Sequence, residues 1–466
     1  MQGQNTLAES KPLFSTQALR RLIIPLVIEQ LLLMTVGMAD IVMVTTAGEA
    51  AVSGVSLVDN INALLIQIFA ALSTGGAVVV SQYLGRREHD NARAASKQLL
   101  YAVTAVSTLL MLFALVFRQH ILSFIFGNIA SDVMKSALEY FIITAIAYPF
   151  MSVYNAGAAL FRSMGNSRVS MFCSAIVNVV NIVVNAILIF GFNMGAAGAA
   201  YGTLASRVVA AVIILILLQR ADNPLRIENI FKPEFRGGMV KRILAIGIPN
   251  GLENGLFQAG KIMVLSLVTT LGATELLRTS AVAANGIAGS VAGVLNVPGS
   301  ALGLAMVTVV GQCMGAKEPG HAARYAKKLV GLSYLSVGTL SFCSFFVAGP
   351  VVSLFHLGPD AAAMAVQVLR INAIFATLFW PMSFTLPNAL RAAGDAVYTM
   401  GVSLFSMFAF RLCLSYVLAP VTFLGLPMLG MGLSGVWLAM CIDWIVRSIF
   451  FFVRFVRGKW KNIQVI

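Results

Sequence analysis

The sequence predicts an all-α integral membrane protein, with twelve transmembrane helices in two pseudo-symmetric six-helix lobes. Three observations lead there. The 466 residues are 59% apolar and 11% charged, whereas soluble proteins average roughly 45–50% and about 25%. Stretches without Asp, Glu, Lys or Arg recur at 60–85, 98–117, 140–161, 169–206, 279–316, 329–359 and 412–442. Short motifs of the first half return in the second at an offset close to 230 residues. At about 20 apolar residues per span, this composition fills roughly a dozen spans and leaves little for an extramembrane domain. It excludes a soluble enzyme, a disordered chain and a secreted disulfide scaffold.

The elements follow in order. Helix 1 is predicted at 19–46, after a polar stretch ending at Ser15; it carries Glu29 and Asp40 and shows no clear small-x-small cleavage site, so it reads as a retained span. Helix 2 (52–82) stops ahead of Arg86-Arg87, and helices 3 (94–117) and 4 (133–160) are separated by Arg118 and Lys135. The 38-residue run 169–206 holds one helix and most of a second, divided at Gly191-Phe-Asn-Met-Gly195 into helix 5 (168–191) and helix 6 (196–218). The segment 219–242, with six basic residues, Pro224 and Pro233, is the best linker. It sets an N-lobe at 1–218, a cytoplasmic linker at 219–240 and a C-lobe at 241–466. Helices 7 (241–271), 8 (280–312), 9 (324–348), 10 (361–390), 11 (396–418) and 12 (430–455) fill the C-lobe. Pro25, Pro149, Pro249, Pro298, Pro381 and Pro387 interrupt helices and are candidate bending points.

Charge gives the orientation. Of the 32 Lys and Arg, one alternate set of loops with both tails carries 24 and the other set carries three, Arg118, Lys135 and Arg278. This asymmetry places both termini in the cytoplasm of a multi-pass protein of the plasma or bacterial inner membrane. It also accounts for the net charge of +14 without a nucleic-acid partner. Five scattered Cys form no CxxC, and four scattered His form no metal cluster.

The halves repeat each other. Gln82-Tyr-Leu-Gly85 matches Gln312-Cys-Met-Gly315, Pro25-x-x-x-Glu29 matches Pro249-x-x-x-Glu253, Arg162-x-x-Gly165 matches Arg391-x-x-Gly394, and Gly195-x-x-Gly198 matches Gly432-x-x-Gly435. Six spans per half keep both copies in one orientation, a transporter plan with the binding site between the halves. With Met38-Ala-Asp40-Ile-Val-Met, Arg162-Ser-Met-Gly165-Asn-Ser, Asn181-Ile-Val-Val-Asn185 and Gly198-Ala-Ala-Tyr-Gly-Thr203, these elements resemble the multidrug and toxic compound extrusion (MATE) family, with NorM-like and DinF-like features mixed. The resemblance covers essentially the whole chain. It implies cation-coupled antiport of organic, often cationic, compounds, and two lobes that rock around a central cavity.

A carboxylate inside a bilayer costs at least ~2.5 kcal/mol, so the six acids inside spans are candidates: Glu29, Asp40, Asp59, Glu139, Glu253 and Asp443. Asp59 and Glu139 lie near span ends and read as interfacial or cavity-mouth residues. Asp40 is the leading coupling residue. Asn181 and Asn185, at i and i+4 on helix 5, face one way, and Thr203 adds a hydroxyl. Asp40, Asn181 and Asn185 are candidate sodium ligands by the oxygen-ligand logic of hard cations; the alternatives are that Asp40 carries a proton, or that the amides only bind helices together. The resemblance places Asp40 at the family's N-lobe carboxylate, Asn185 where one branch has a second Asp, and Glu253 at the C-lobe acid of NorM-like members. Helix 10 lacks the acid of that branch, so Glu253 is a second candidate coupling residue that alone serves protons or a cationic substrate, the alternative being a structural partner of a buried base. Glu29 lies on nearly the same face as Asp40, about 16 Å away along the helix, and is open between coupling and structure.

Glu29, Met34, Asn254, Gln258, Phe379 and Trp380 are the candidate wall of a substrate cavity, joined by Met38 and Phe257 as soft apolar surface. Five bases also fall inside spans: Arg207, Lys261, Arg370, Arg411 and Arg447. Arg207 has no evident partner, and Arg447 reads as a snorkelling residue with Asp443 one turn before it. The expected function is a secondary antiporter exporting organic cations in exchange for H+ or Na+ by alternating access. No cofactor is expected, and the partners are small-molecule substrates and the bilayer, with the chain as a monomer. The alternative is a lipid-linked oligosaccharide flippase of the same plan. No HExxH, GxSxG or P-loop appears to support an enzyme.

Overall fold

Apolar runs too long for a soluble core must hydrogen-bond their own backbone, and the chain does so almost wholly as helix. In a computed structural model, residues 13–127, 130–228, 232, 234–423 and 426–466 are described. Six helices build the first half: α1 Thr16–Val44, α2 Glu49–Gly85, α3 His89–Phe126, α4 (Ser131–Ile146 and Tyr148–Ser163), α5 Ser167–Gly191 and α6 Gly195–Gln219. Six build the second: α7 Gly237–Val268, α8 (Glu275–Leu295 and Val297–Gly315), α9 Pro319–Ser353, α10 Pro359–Ala392, α11 Ala396–Leu418 and α12 Gly432–Val456. A two-stranded hairpin, β1 Thr422–Phe423 and β2 Leu426–Pro427, joins α11 to α12. Among the described residues ten helices are long and apolar enough to span a membrane, and the bent α4 pair makes eleven. The remaining helix, α7, carries Glu253 and Lys261 and packs along α2, where Gly75 and Gly247 bring the two backbones together.

Helix ends fall within a few residues of expectation except in α3, which runs on from 117 to Phe126 past Arg118 and stops at Gly127, where φ is +68°. A single cation does not break a helix; a residue in the left-handed region does. Two breaks sit at prolines. The halves of α4 meet at 46° around Ala147, ahead of Pro149, and α8 is interrupted at Asn296, ahead of Pro298. Pro381 opens a π-turn in α10, closed by Leu386 N–H donating to its carbonyl at 3.1 Å. Further π-turns occupy Ile187–Gly191 in α5, Tyr334–Gly338 in α9 and Met407–Leu412 in α11.

The repeat is realised in the backbone. Arg87 and Lys317 have φ of 62° and 59°, Gly165 and Gly394 of 79° and 100°, Gly195 and Gly432 of 53° and 58°. Gly165 and Gly394 end α4 and α10 by donating to the carbonyls of Arg162 at 2.8 Å and Arg391 at 2.9 Å. The two Gln-x-x-Gly motifs meet each other: a side chain on Gly85 would strike the Gln312 backbone, and one on Gly315 the Gln82 backbone. Gln82 Nε2 donates to the Ala392 carbonyl at 2.9 Å and Gln312 Nε2 to that of Ser163 at 2.7 Å. Thr308 adds a bond to the Arg162 carbonyl at 3.0 Å. Leu19, Leu22 and Leu26 of α1 are buried in a core otherwise built from C-lobe residues. These cross-lobe contacts lie toward the ends of α1, α2, α4, α8 and α10 that carry the basic loops. The linker lies on α3, where Tyr101 donates to the Lys232 carbonyl at 2.9 Å and Arg236 N–H to Gln98 at 3.1 Å. Pro233 lies outside the described residues.

Candidate functional site

Two buried polar groups occupy the lobes, each under one pseudo-symmetric ion pair. In the N-lobe, Arg162 Nη1 donates to Glu29 Oε1 at 2.9 Å, and Ser170 donates to Oε2 at 2.6 Å. In the C-lobe, Arg391 Nη2 donates to Glu253 Oε1 at 2.6 Å, with Arg447 3.9 Å from the same oxygen. The repeat therefore supplies both partners twice, each pair behind a helix end that accepts the other lobe's glutamine. Glu29 is placed in this clamp and not on a path shared with Asp40. Both oxygens of Glu29 are bound, while Glu253 Oε2 is buried without a partner among the described residues.

The N-lobe cluster forms where α1, α2, α4, α5 and α6 converge. Asn185 Nδ2 donates to Asp40 Oδ1 at 2.6 Å and lies 3.4 Å from Asn181 Oδ1. Asn185 sits two residues before the α5 π-turn begins, with its amide oxygen over Gly202 of α6, where any side chain would displace it. Asn185 Oδ1 is buried without a hydrogen-bond partner among the described residues, and the buried Thr203 hydroxyl interacts with that of Tyr140. Asp59 and Arg207 stand within electrostatic range of Asp40. Asp59 accepts from Tyr140 at 3.0 Å and Asn62 at 3.3 Å, and Tyr148 donates to Asn62 at 2.9 Å. Asp59, half-buried, thus stands with this cluster, whereas Glu139 is exposed. The two differ because Tyr140 turns inward beside Asp59 while Glu139, one residue earlier, turns out. Arg207 finds its neighbours in Tyr154, Asp40 and Tyr140. Among the described residues no group of His, Cys, Asp and Glu could hold a transition metal; one carboxylate with two amides and a hydroxyl suits a proton or a small hard cation.

The C-lobe cluster borders a cavity of about 420 Å³ between α7, α8, α10, α11 and α12. Lys261 and Arg411 line it, their cations 5.2 Å and 5.4 Å from the Phe257 ring. Trp380, Phe384, Trp437 and Trp444 supply the aromatic wall. Trp380 and Phe384 stack at 5.1 Å, and Phe384 meets Trp444 edge-on at 5.9 Å. Arg447 does not snorkel: it is 3% exposed, lies 4.6 Å over Phe384 and donates to Ser403 at 3.1 Å. Asp443 takes the Ser406 hydroxyl at 2.5 Å, and no ion pair joins it to Arg447 among the described residues. Arg370 is exposed, over Phe345.

Of the predicted cavity residues, Trp380 and Phe257 line this space, and Met34 of α1 faces Gly293 at its border. Phe379 packs beside it with Phe375; Asn254 and Gln258 are half-buried on α7 outside it. The Met38 side chain lies outside the described ones. Lys261, Arg411 and Asp59 enter as residues that sequence reasoning had not placed in a site. The signal for Lys261 was present, since its i−4 neighbour Phe257 shares its face.

Comparison with known proteins agrees with this architecture. A family model described as MatE matches residues 25–187 and 260–417. A probable multidrug resistance protein NorM of Thermotoga maritima is 26% identical over 96% of this chain and 93% of its own. A MOP-superfamily transporter of Pyrococcus furiosus, whose binding pocket has reversed polarity, superposes with a TM-score of 0.86 at 20% identity over 96% and 97% of the two chains. An outward-facing MATE transporter does so with a TM-score of 0.85 at 20% identity over 94% and 95%. Twelve helices in two lobes, the duplicated motifs and a family match over most of the chain lead to one assignment: the protein is a membrane transporter of the MatE family.

Proposed function

We propose that the protein exports organic compounds across the bacterial inner membrane in exchange for protons or sodium ions, by alternating access of its two lobes. The observation that carries the reading is the Asp40 cluster, a carboxylate held by Asn185 at 2.6 Å, with the Asn185 amide oxygen left without a partner among the described residues. Binding a cation there neutralises a charge that the low-dielectric interior disfavours. It must do so more strongly in one state than in the other for coupling to arise. With the basic loops cytoplasmic, the cross-lobe contacts close the cytoplasmic side, so this state faces outward. Cation entry would then favour release of cargo outside and a return to the inward-facing state.

The flippase alternative is not favoured. The relative from Thermotoga maritima is named a probable multidrug resistance protein, and a cavity of about 420 Å³ falls in the size range of small-ligand sites, roughly 300–1,000 Å³, not of a lipid-linked oligosaccharide. The test is efflux from proteoliposomes under a proton gradient alone and then a sodium gradient alone. Efflux driven by either gradient supports the reading and names the ion. Movement under neither overturns it.

A further inference from the structure

We propose that the C-lobe cavity binds small aromatic organic anions, a carboxylate or sulfonate on a planar ring. The inference rests on the transporter reading above and reverses the cationic cargo expected from the sequence. Four bases enter the C-lobe interior, Lys261, Arg391, Arg411 and Arg447, against two acids, Glu253 and Asp443. Glu253 is bound by Arg391, Asp443 by Ser406, and neither lines the cavity. Asp443 also stands within electrostatic range of Arg411 and Arg447, so the interior keeps a net excess of two positive charges, and the cations that line the wall are Lys261 and Arg411. Neither Lys261 nor Arg411 has a carboxylate within ion-pair distance among the described residues, and Lys261 is exposed to the cavity. They flank one ring, Phe257, and stand within electrostatic range of each other. A cationic ligand would add a third like charge in a poorly screened space; an anion relieves the repulsion of the two already there.

The uncharged lining points the same way. Asn372 is 1% exposed, and among the described residues both ends of its amide are unpartnered; so are Asn296 Oδ1, Arg411 Nε and Trp444 Nε1. These orphaned atoms border one cavity: three are donors, on Arg411, the Asn372 nitrogen and Trp444, against the oxygens of Asn372 and Asn296, and the Lys261 ammonium adds a fourth donor to the wall. Buried polar groups are normally satisfied, and an anionic oxygen pair on a ring would accept from these donors. The Trp380–Phe384 stack and the Trp444 edge offer a planar ligand the offset and edge-on contacts that aromatic pairs favour. Anion capture is thus assigned to the C-lobe and cation coupling to the Asp40 cluster of the N-lobe.

Three of the four Trp line the cavity, so quenching of Trp fluorescence by a nitroaromatic ligand reads it out. The experiment titrates the full-length protein in nanodiscs with 4-nitrobenzenesulfonate and with its cationic counterpart, 4-nitrobenzyl-trimethylammonium. The expected result is saturable quenching by the sulfonate and weaker quenching by the cation. Lys261→Gln and Arg411→Gln should each lower sulfonate affinity about tenfold, the size of one charge-assisted contact. Lys261→Arg should retain it, and Lys261→Glu should turn the preference toward the cation. Should Arg411→Gln not fold, the Lys261 series decides alone, since that side chain stands free in the cavity. Preference for the cation, unchanged sulfonate affinity in Lys261→Gln, or no quenching by the sulfonate overturns the inference. Sulfonate binding without gradient-driven efflux would sink the transporter reading and leave the site; gradient-driven efflux without sulfonate binding would do the reverse.

Discussion

Arg391 reaches Glu253 at 2.6 Å, repeating inside the C-lobe the 2.9 Å pair of Arg162 with Glu29 in the N-lobe. Each arginine stands one residue before a carbonyl that the other lobe's glutamine binds, Ala392 for Gln82 and Ser163 for Gln312. The buried pairs therefore brace the helix ends on which the lobes meet.

Removing one member should be costly. Glu253→Gln leaves Arg391 buried and uncompensated, at about 3–5 kcal/mol. A clear drop in the melting temperature of detergent-purified protein is expected, partly recovered in Glu253→Gln/Arg391→Met. An unchanged melting temperature in the single variant would show that the pair does not brace the lobe.

The reciprocal glycines set the state of the molecule. Gly85→Val or Gly315→Val puts a side chain into the facing backbone and should part the lobes on that side. Spin labels at Asp90 and Gly320, both exposed, should report a longer distance. Gln82→Ala, which removes one hydrogen bond worth about 1 kcal/mol, should shift the population about fivefold in the same direction. Identical distance distributions in all three variants would contradict this.

Gly202 matters through Asn185. The methyl of Gly202→Ala would occupy the place of the Asn185 amide oxygen and pull the amide from Asp40. Coupled efflux should fall at least about fivefold, the effect of about 1 kcal/mol from a disturbed buried hydrogen bond, with insertion intact by size-exclusion profile. Asn185→Ala should behave alike; wild-type efflux in both would remove the amide from the mechanism.

Much of this was legible in the residues. Twelve helices followed from charge-free runs, and the duplicated Gln-x-x-Gly, Pro-x-x-x-Glu and Arg-x-x-Gly motifs identified the elements at the lobe boundary. Periodicity gives the face of a residue within one helix, not which helix it meets. Glu253 and Arg391 lie 138 positions apart, and only packing of α7 on α10 joins them, although the twin repeats of both motifs were a signal that each pair acts together. The partners of Asp59 were hidden for the same reason: depth along α2 was readable, but the inward turn of Tyr140 from α4 was not. Arg447 was read from its distance to the helix end, which says nothing of the Phe384 ring beneath it.

The central claim is that Asp40 couples an ion gradient to export. Its most direct test is efflux from proteoliposomes under an imposed proton or sodium gradient, wild type beside Asp40→Asn, with equal insertion verified. The account predicts that Asp40→Asn abolishes gradient-driven efflux while ligand binding in the C-lobe cavity persists. Wild-type rates of gradient-driven efflux from Asp40→Asn would contradict it.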